Sequence, residues 1–189
     1  MKKVYVFLAN GFEDIEALIP VDVLRRGGVD VTTVSTVDDS QIVESAHGVQ
    51  IVADEMFDDC DFSDADLLLL PGGMPGASNL YEHPGVCDAV KAQADQGKRI
   101  AAICAAPAVV LGQLGLLEGR QATCYPGFEQ LLKGAHYTAA LCTTDGNITT
   151  GEGPAAALPF AYELLAQLTD AQTSRQVAVG MRFAHLMEK

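Results

Sequence analysis

Cys104 is the residue whose type and position point most directly to chemistry. Residues 99–103 predict a short buried strand and residues 108–116 a helix, so Cys104 lies where a strand passes into a helix, as in a nucleophile elbow. The free N–H groups and the dipole of a helix N-terminus stabilise an anion, which lowers the pKa of a thiol and makes its thiolate a nucleophile. The alternative is a small buried apolar residue, the usual role of a free cysteine.

Three carboxyl groups follow the first predicted strand, residues 4–9. Asp14 predicts the N-cap of a helix that extends to residue 26, and Glu13 and Glu16 flank it. A carboxyl group at Glu16 that is held near Cys104 and out of water keeps its proton, which it can donate to a thiolate and later transfer in acid–base catalysis. The alternative is that these acids only complement the dipole of the first helical turn.

Gly72 and Gly73 lie in a third loop, directly after a predicted buried strand at residues 65–70. Glycines let the backbone approach a substrate closely, so an N–H group here and one beside Cys104 would form an oxyanion hole. The alternative is an ordinary Gly/Pro turn. The loop lacks the G-K-[ST] ending of a phosphate-binding P-loop.

Four histidines are available to partner the cysteine, and none is adjacent to it in sequence. His47 lies between two short predicted strands and could reach the edge of the site. His136 follows a short predicted helix and is an accessory candidate. His83, before a proline, and His185, near the C-terminus, are expected at the surface. Geometry decides which of them matters.

The predicted elements alternate between strands and helices. The order predicts an α/β fold in which helices cover both faces of a mostly parallel sheet. Sites in such sheets form outside the carboxyl ends of the strands, so the loops that carry Glu16, Gly73 and Cys104 are expected to converge. The further predicted elements are strands at 29–35 and 122–124, hairpins at 42–52 and 141–150, helices at 86–96, 128–132, 155–168 and 169–180, and a tail at 181–189 that docks on the core or on a partner subunit.

Composition excludes several classes of protein. The 189 residues suit one domain, 1–189, and 49% are hydrophobic, with no apolar run long enough to span a membrane and no signal-peptide core. A formal net charge of −13 disfavours nucleic acid as a primary partner. Five scattered cysteines without a C-x-x-C pair argue against a disulfide framework and against a structural metal site. We therefore expect a cytoplasmic protein.

Several sequence blocks, in this order, resemble the ThiJ/PfpI superfamily and, within it, the parkinsonism-associated deglycase branch. The resemblance extends from residue 3 to about residue 168, and as a set the blocks are highly specific. They are Glu13-Asp14-Ile15-Glu16, Ile19-Pro20-Val21-Asp22-Val23-Leu24-Arg25-Arg26, Leu70-Pro71-Gly72-Gly73, Ala101-Ala102-Ile103-Cys104-Ala105-Ala106-Pro107 and Gly134-Ala135-His136-Tyr137-Thr138.

The resemblance implies a flavodoxin-like three-layer sandwich, a homodimer and a site that needs no cofactor. In it Cys104 is the nucleophile, Glu16 the buried protonated acid, and Gly73 and Ala105 supply oxyanion-type N–H groups. Members of the branch are described as glutathione-independent glyoxalases that act on methylglyoxal, as deglycases, and as oxidative-stress sensors whose cysteine becomes a sulfinate.

Two departures from the family pattern affect these expectations. The branch often has a histidine before a proline after the Cys104 helix, where this chain has Tyr125. Tyr125 is therefore a candidate substitute proton donor. The intracellular protease branch has a histidine directly after the nucleophile, where this chain has Ala105, so a protease is disfavoured.

The leading hypothesis is an enzyme that acts on small dicarbonyls or their adducts, with Cys104 as nucleophile and Glu16 as proton relay. The alternative is a redox-responsive protein whose Cys104 is oxidised, with turnover incidental. A third hypothesis is a binding scaffold in which Cys104 is inert.

Overall fold

A computed structural model describes residues 1–183 and 185 and contains a seven-stranded sheet with two small two-stranded additions. The order in the main sheet is β10-β11-β7-β6-β1-β2-β5, and every neighbouring pair is parallel except β10 with β11. The strands are β1 Lys3–Leu8, β2 Asp30–Ser35, β3 Ile42–Glu44, β4 Gln50–Val52, β5 Glu55–Met56, β6 Leu67–Leu70, β7 Arg99–Ile103, β8 Gln121–Ala122, β9 His136–Tyr137, β10 Cys142–Asp145 and β11 Ile148–Gly151.

The central strands β1, β6 and β7 are almost continuously apolar because both of their faces are covered. All four residues of β6 are buried leucines, and Val4 of β1 pairs with Leu67, which in turn pairs with Arg99 at the start of β7. The hairpin β3–β4 stands outside this sheet, as does the parallel pair β8–β9.

Five α-helices, within the described part of the chain, form the outer layers. The connection from β1 to β2 and the connection from β6 to β7 run in opposite directions across the sheet, so right-handed crossovers place their helices on opposite faces. The first helix packs against the fourth, which also packs against the fifth, and the second packs against the third and against the turn after Cys104. The helices are α1 Asp14–Arg26, α2 Gly76–Glu82, α3 Pro84–Asp95, α4 Ala157–Leu168 and α5 Ala171–Gly180.

The predicted α/β fold is confirmed, a mostly parallel sheet with flanking helices in the flavodoxin-like arrangement. Both predicted hairpins are present. The helix predicted at 108–116 is instead one π-helical turn, Pro107–Gly112, followed by turns. Pro107 is the first residue of this turn. In the turns that follow, Gly115 adopts the left-handed conformation that prevents a longer helix (φ +75°). The N-cap of α1 is Glu13 rather than Asp14.

Three of these elements were not predicted from the sequence: β5 and β9, which are two residues long, and α2, which follows directly on the glycine-rich loop. Of the predicted tail, Phe183 packs on Tyr162 with their ring centroids 5.0 Å apart, and the last residues lie outside the described part. Within residues 1–183 and 185 no helix combines the length and the apolar character needed to traverse a bilayer.

Candidate active site

Cys104 lies at the turn that leaves β7, in a backbone conformation rare for a side-chain-bearing residue (φ +66°). Its N–H donates to the carbonyl of Gly151 at 2.9 Å, and its carbonyl accepts from the N–H of Tyr125 at 2.8 Å. Only 8% of the residue is exposed. This is the strained, fixed geometry of a nucleophile elbow, and two neighbouring segments hold it from either side.

Glu16 is completely buried on the first turn of α1. The N-cap Glu13 accepts a hydrogen bond from the Glu16 N–H at 2.8 Å, and the Gly72 N–H donates to Glu16 Oε2 at 3.0 Å. The other carboxyl oxygen, Oε1, is buried without a partner of good hydrogen-bond geometry among the described residues. A buried oxygen without a partner is costly for a carboxylate, so the site favours a proton on this group.

Gly72 brings the carboxyl group and the thiol together because it has no side chain. A Cβ at this position would lie 2.6 Å from the Cβ of Cys104 and 2.6 Å from Glu16 Oε2. Any other residue would push the two catalytic candidates apart. Gly73, the next residue, has φ +86°, a conformation that glycine adopts at little cost.

Burial dominates the electrostatics of this pair, and the charge of Glu16 adds to its effect on Cys104. Burial raises the pKa of Glu16 to about 7, with a further increase from the charge of Glu13, against lowering contacts with Cys104 and Gly72. Burial, together with the charge and hydrogen bond of the Glu16 carboxylate, raises the pKa of Cys104 to about 12. The backbone N–H groups of Gly73 and Ala105 face the sulfur and act to lower that pKa.

The expectation of a thiol pKa lowered by a helix N-terminus is therefore wrong for Cys104 in the presence of an ionised Glu16. The following segment is a single π-helical turn, and the effect of burial exceeds that of the nearby N–H groups. Because the two groups are coupled, a proton on Glu16 removes the repulsion and turns the carboxyl group into a donor. The pair thus stabilises one negative charge, on oxygen or on sulfur.

The three predicted backbone donors have different surroundings. The N–H groups of Gly73 and Ala105 face the sulfur, where they would also meet a charge that develops on an attached substrate. The N–H of Gly72 is occupied by Glu16 Oε2, so it is not available to a substrate. The predicted oxyanion role of Gly72 is corrected to one of orienting Glu16.

The predicted accessory residues lie at different distances from this chemistry. Glu13 is adjacent, since its side chain caps the helix that carries Glu16. Tyr125 reaches Cys104 through its backbone, while its half-exposed ring lies against Gly153 and lines a cavity of about 230 Å³. His136 is exposed on β9 beside Gln121, and no hydrogen bond among the described residues joins it to the pair.

The sequence analysis missed two features around the site. Gly151 holds the Cys104 N–H, and its position at the carboxyl end of a strand was the available signal. Asp14 pairs with Nδ1 of His47 at 2.6 Å, a contact between distant segments that no spacing could reveal. Glu13, Asp14 and His47 have polar atoms within 4.8 Å of one another, and Nδ1 of the imidazole is engaged by Asp14.

The chain that carries this strained cysteine and buried glutamate matches a known protein family. The sequence profile of the DJ-1/PfpI family matches residues 2–167. The chain belongs to the DJ-1/PfpI family. This membership confirms the resemblance that the sequence blocks indicated. The matched region includes the segments that carry Glu16, Gly72 and Cys104.

Relatives within the DJ-1/PfpI family come from plants and animals. Protein DJ-1 homolog B of Arabidopsis thaliana is 42% identical over 94% of this chain and 40% of its own length. This chain spans less than half the length of the two Arabidopsis relatives that it matches. The Parkinson disease protein 7 homolog of Danio rerio is 37% identical, over 93% of this chain and 94% of its own.

Two further family members have informative names. The glutathione-independent glyoxalase DJR-1.2 of Caenorhabditis elegans is 32% identical, over 82% of each chain. The solved structure of oxidized Toxoplasma gondii DJ-1 superposes with a TM-score of 0.92 at 35% identity, over 96% of this chain and 98% of that one. The fold of this chain is therefore that of DJ-1.

Proposed function

We propose that this protein is a cofactor-independent glyoxalase or deglycase that converts methylglyoxal-type dicarbonyls, or their adducts, to hydroxy acids. The observation that carries the proposal is the buried Glu16 carboxyl beside Cys104, with a pKa raised by burial to about 7. A group that gains and loses a proton near neutral pH is suited to general acid–base catalysis.

The first step is attack of the Cys104 sulfur on the aldehyde carbon of the dicarbonyl. The thiol proton passes to the Glu16 carboxylate as the carbon–sulfur bond forms, so a free thiolate with its high pKa need not accumulate. The N–H groups of Gly73 and Ala105 stabilise the developing oxyanion. Glu16 then gives the proton it received to that oxygen, which yields a hemithioacetal and returns Glu16 to its carboxylate form.

The second step moves hydrogen between the two substrate carbons. Glu16 removes the proton from the sulfur-bearing carbon to give an enediol and returns a proton to the neighbouring carbon, which leaves a thioester. Water then hydrolyses the thioester, releasing lactate from methylglyoxal and restoring the thiol. The net reaction is the addition of one water, so no cofactor or oxidant is needed.

Two observations support this proposal over a non-catalytic scaffold. One is that the Glu16 carboxyl lies beside the thiol although one of its buried oxygens has no hydrogen-bond partner among the described residues. This arrangement costs stability, and a structural role would not require it. The other is the name of the Caenorhabditis elegans relative, a glutathione-independent glyoxalase. An inert cysteine in the same fold would have no use for the neighbouring acid.

The test is conversion of methylglyoxal to lactate by the purified protein in the absence of glutathione. We expect turnover in the wild type and its loss, by at least about 100-fold, in both Cys104→Ser and Glu16→Gln. Cys60→Ser is the matched control because Cys60 is a free, half-buried thiol bonded only to the Met56 carbonyl. Turnover that survives in Cys104→Ser would refute the proposal.

The second candidate function is redox sensing by the same cysteine. The Gly73 and Ala105 N–H groups that face the sulfur, with a protonated Glu16, would hold the oxygens of a sulfinate. A relative of the same fold is described as oxidized DJ-1. No turnover in the wild type, with selective oxidation of Cys104 by dilute peroxide seen by mass spectrometry, would favour this function over the first.

A further inference from the structure

The tip of the β3–β4 hairpin lies on the loop that leads into α1. The Gly11 N–H donates to the Glu44 carbonyl at 2.7 Å, and the Ala46 N–H donates to the Phe12 carbonyl at 2.8 Å. Phe12 also forms an isolated parallel bridge with Ser45. The hairpin thus adds a short strand-like contact to the segment immediately before Glu13.

His47 closes this contact with a charged pair. Its Nδ1 lies 2.6 Å from Oδ2 of Asp14; the imidazole is 67% exposed and the carboxylate 17% exposed. Among the described residues, the charged groups that face the imidazole are Asp14 and Glu13, both at the start of α1. Burial opposes ionisation of Asp14, but hydrogen bonds from Ser45 and His47 outweigh it and lower the pKa of the carboxyl.

The first turn of α1 connects this pair to the catalytic candidates. Glu13, next to Asp14, donates its N–H to the Gly72 carbonyl at 3.0 Å and accepts from the Glu16 N–H at 2.8 Å. Gly72 in turn donates its N–H to the Glu16 carboxyl. Hydrogen bonds, together with the peptide bond between Glu13 and Asp14, therefore connect the hairpin tip to the carboxyl that faces Cys104.

We propose that His47 is a positioning residue, and that its imidazolium latches the hairpin tip to Asp14 and so holds Glu16 against Cys104. The inference rests on the proposed function for its catalytic consequence only, since the latch itself is a property of the fold. The neutral imidazole keeps a hydrogen bond to Asp14 but loses the charge. Deprotonation therefore loosens the latch without opening the hairpin.

The direction of the pH dependence follows from the same pair. The hydrogen bond and the charge of Asp14 raise the pKa of His47 above its ordinary value of 6.5. The contribution of the charged latch is complete below pH 6.5 and is lost as the pH rises through the raised pKa of His47. Because the imidazole is exposed, solvent screens the pair and the effect on global stability is small.

Glu16 titrates in the same range, so a pH profile of the wild type alone cannot identify the latch. Ratios between variants cancel the titration of the catalytic pair. His47→Gln mimics the neutral imidazole at every pH, and His47→Arg keeps a positive charge at every pH. Asp22→Asn is the matched control, because it removes an exposed ion pair with Arg26 about two turns further along the same helix.

The experiment measures the alkylation rate of Cys104 by iodoacetamide for each variant from about pH 5.5 to pH 9. We expect the His47→Gln and wild-type rates to differ about two- to fivefold at pH 5.5 and to converge above the pKa of His47. The His47→Arg rate should match the wild type at low pH and diverge at high pH, and Asp22→Asn should match it throughout. A constant His47→Gln to wild-type ratio, or His47→Arg behaving like His47→Gln, would overturn the proposal.

A second measurement tests the contact itself. The pKa of His47, read from its ring proton shifts by NMR, should fall toward 6.5 in Asp14→Asn and stay unchanged in Asp22→Asn. An unchanged value in Asp14→Asn would mean that the pair does not form. Neither measurement uses methylglyoxal, so a protein that shows the latch but no turnover would contradict the proposed function and leave the latch intact.

Discussion

Two acid pairs at the start of α1 use the same kind of side chain for opposite purposes. Glu16 meets Cys104 in a site closed to water, where burial decides both ionisation states and holds the pKa of each group above its ordinary value. Asp14, two residues earlier, meets His47 at the surface, where direct hydrogen bonding stabilises the charged forms of both. Two positions along one helical turn separate a reactive carboxyl group from a supporting one.

The comparison teaches that the contacts around an acid, rather than residue type, assign the role. The helix turns by about 200° over two residues, so Glu16 faces the sheet while Asp14 faces the hairpin. Glu16 is completely buried beside a thiol and retains a proton that it can transfer, whereas Asp14, 17% exposed and hydrogen-bonded to an imidazole, stays ionised.

Replacing the buried acid by its amide should have the largest effect. In Glu16→Gln we expect the alkylation of Cys104 at neutral pH to become faster, because the carboxylate that repels a thiolate is gone. Turnover of methylglyoxal should fall roughly 100- to 10,000-fold, the usual cost of losing a general acid–base group. Iodoacetamide kinetics and lactate formation measure the two changes.

The opposite signs of these changes make the prediction specific. Asp22→Asn, an amide substitution on the exposed face of the same helix, is the control and should alter neither rate. Slower alkylation in Glu16→Gln would show that proton transfer from the thiol to the glutamate outweighs the repulsion between the carboxylate and the thiolate, and would contradict the expected sign.

The buried acid should also make stability depend on pH. Its pKa is 4.5 in the unfolded chain and about 7 in the folded protein, so its contribution is complete below pH 4.5 and is lost as the pH rises through 7. Urea denaturation should show the wild type losing about 3 kcal/mol more than Glu16→Gln between pH 4.5 and pH 8. Equal losses in the two proteins would mean that Glu16 is ionised in the folded state at low pH.

The contact between the buried pair depends on Gly72, so Gly72→Ala should disturb it sterically. The added Cβ would lie 2.6 Å from the Cβ of Cys104 and 2.8 Å from the Ile103 carbonyl, which we expect to cost about 1–3 kcal/mol of unfolding free energy. Gly180→Ala is the control, since no atom of residues 1–183 or 185 lies within 4 Å of the added Cβ and it should be neutral or slightly stabilising. Similar stabilities for the two variants would contradict the crowding.

Local pattern was sufficient to predict the frame of the molecule. The apolar strands at β1, β6 and β7 and their alternation with helices predicted a parallel sheet, and the rule that sites form at carboxyl strand ends predicted that the loops of Glu16, Gly73 and Cys104 converge. The resemblance to the family, which is confirmed, implied the same three residues as members of the site. The homodimer, the single domain and the cytoplasmic location remain predictions.

Properties that depend on solvent exclusion were not predictable from sequence. The helix dipole was expected to lower the pKa of Cys104, but burial raises it. Nothing in the sequence tells how deeply the sulfur and Glu16 are buried together. The pairing of Asp14 with His47 depends on where a hairpin tip lands, a tertiary property. The helix predicted at residues 108–116 does not form as predicted, because glycines and a proline outweigh the apolar spacing on which the prediction rested.

Tyr125 provides the smallest expected effect and a final check on the assignment of proton transfer. Its backbone supports Cys104, but its ring is 45% exposed and lies over Gly153. We therefore expect Tyr125→Phe to lower lactate formation by less than about tenfold, below the range for loss of a general acid. A loss of about 100-fold would instead make the hydroxyl a proton donor in place of the family's histidine, and would move part of the chemistry from the buried pair to the exposed side of the site.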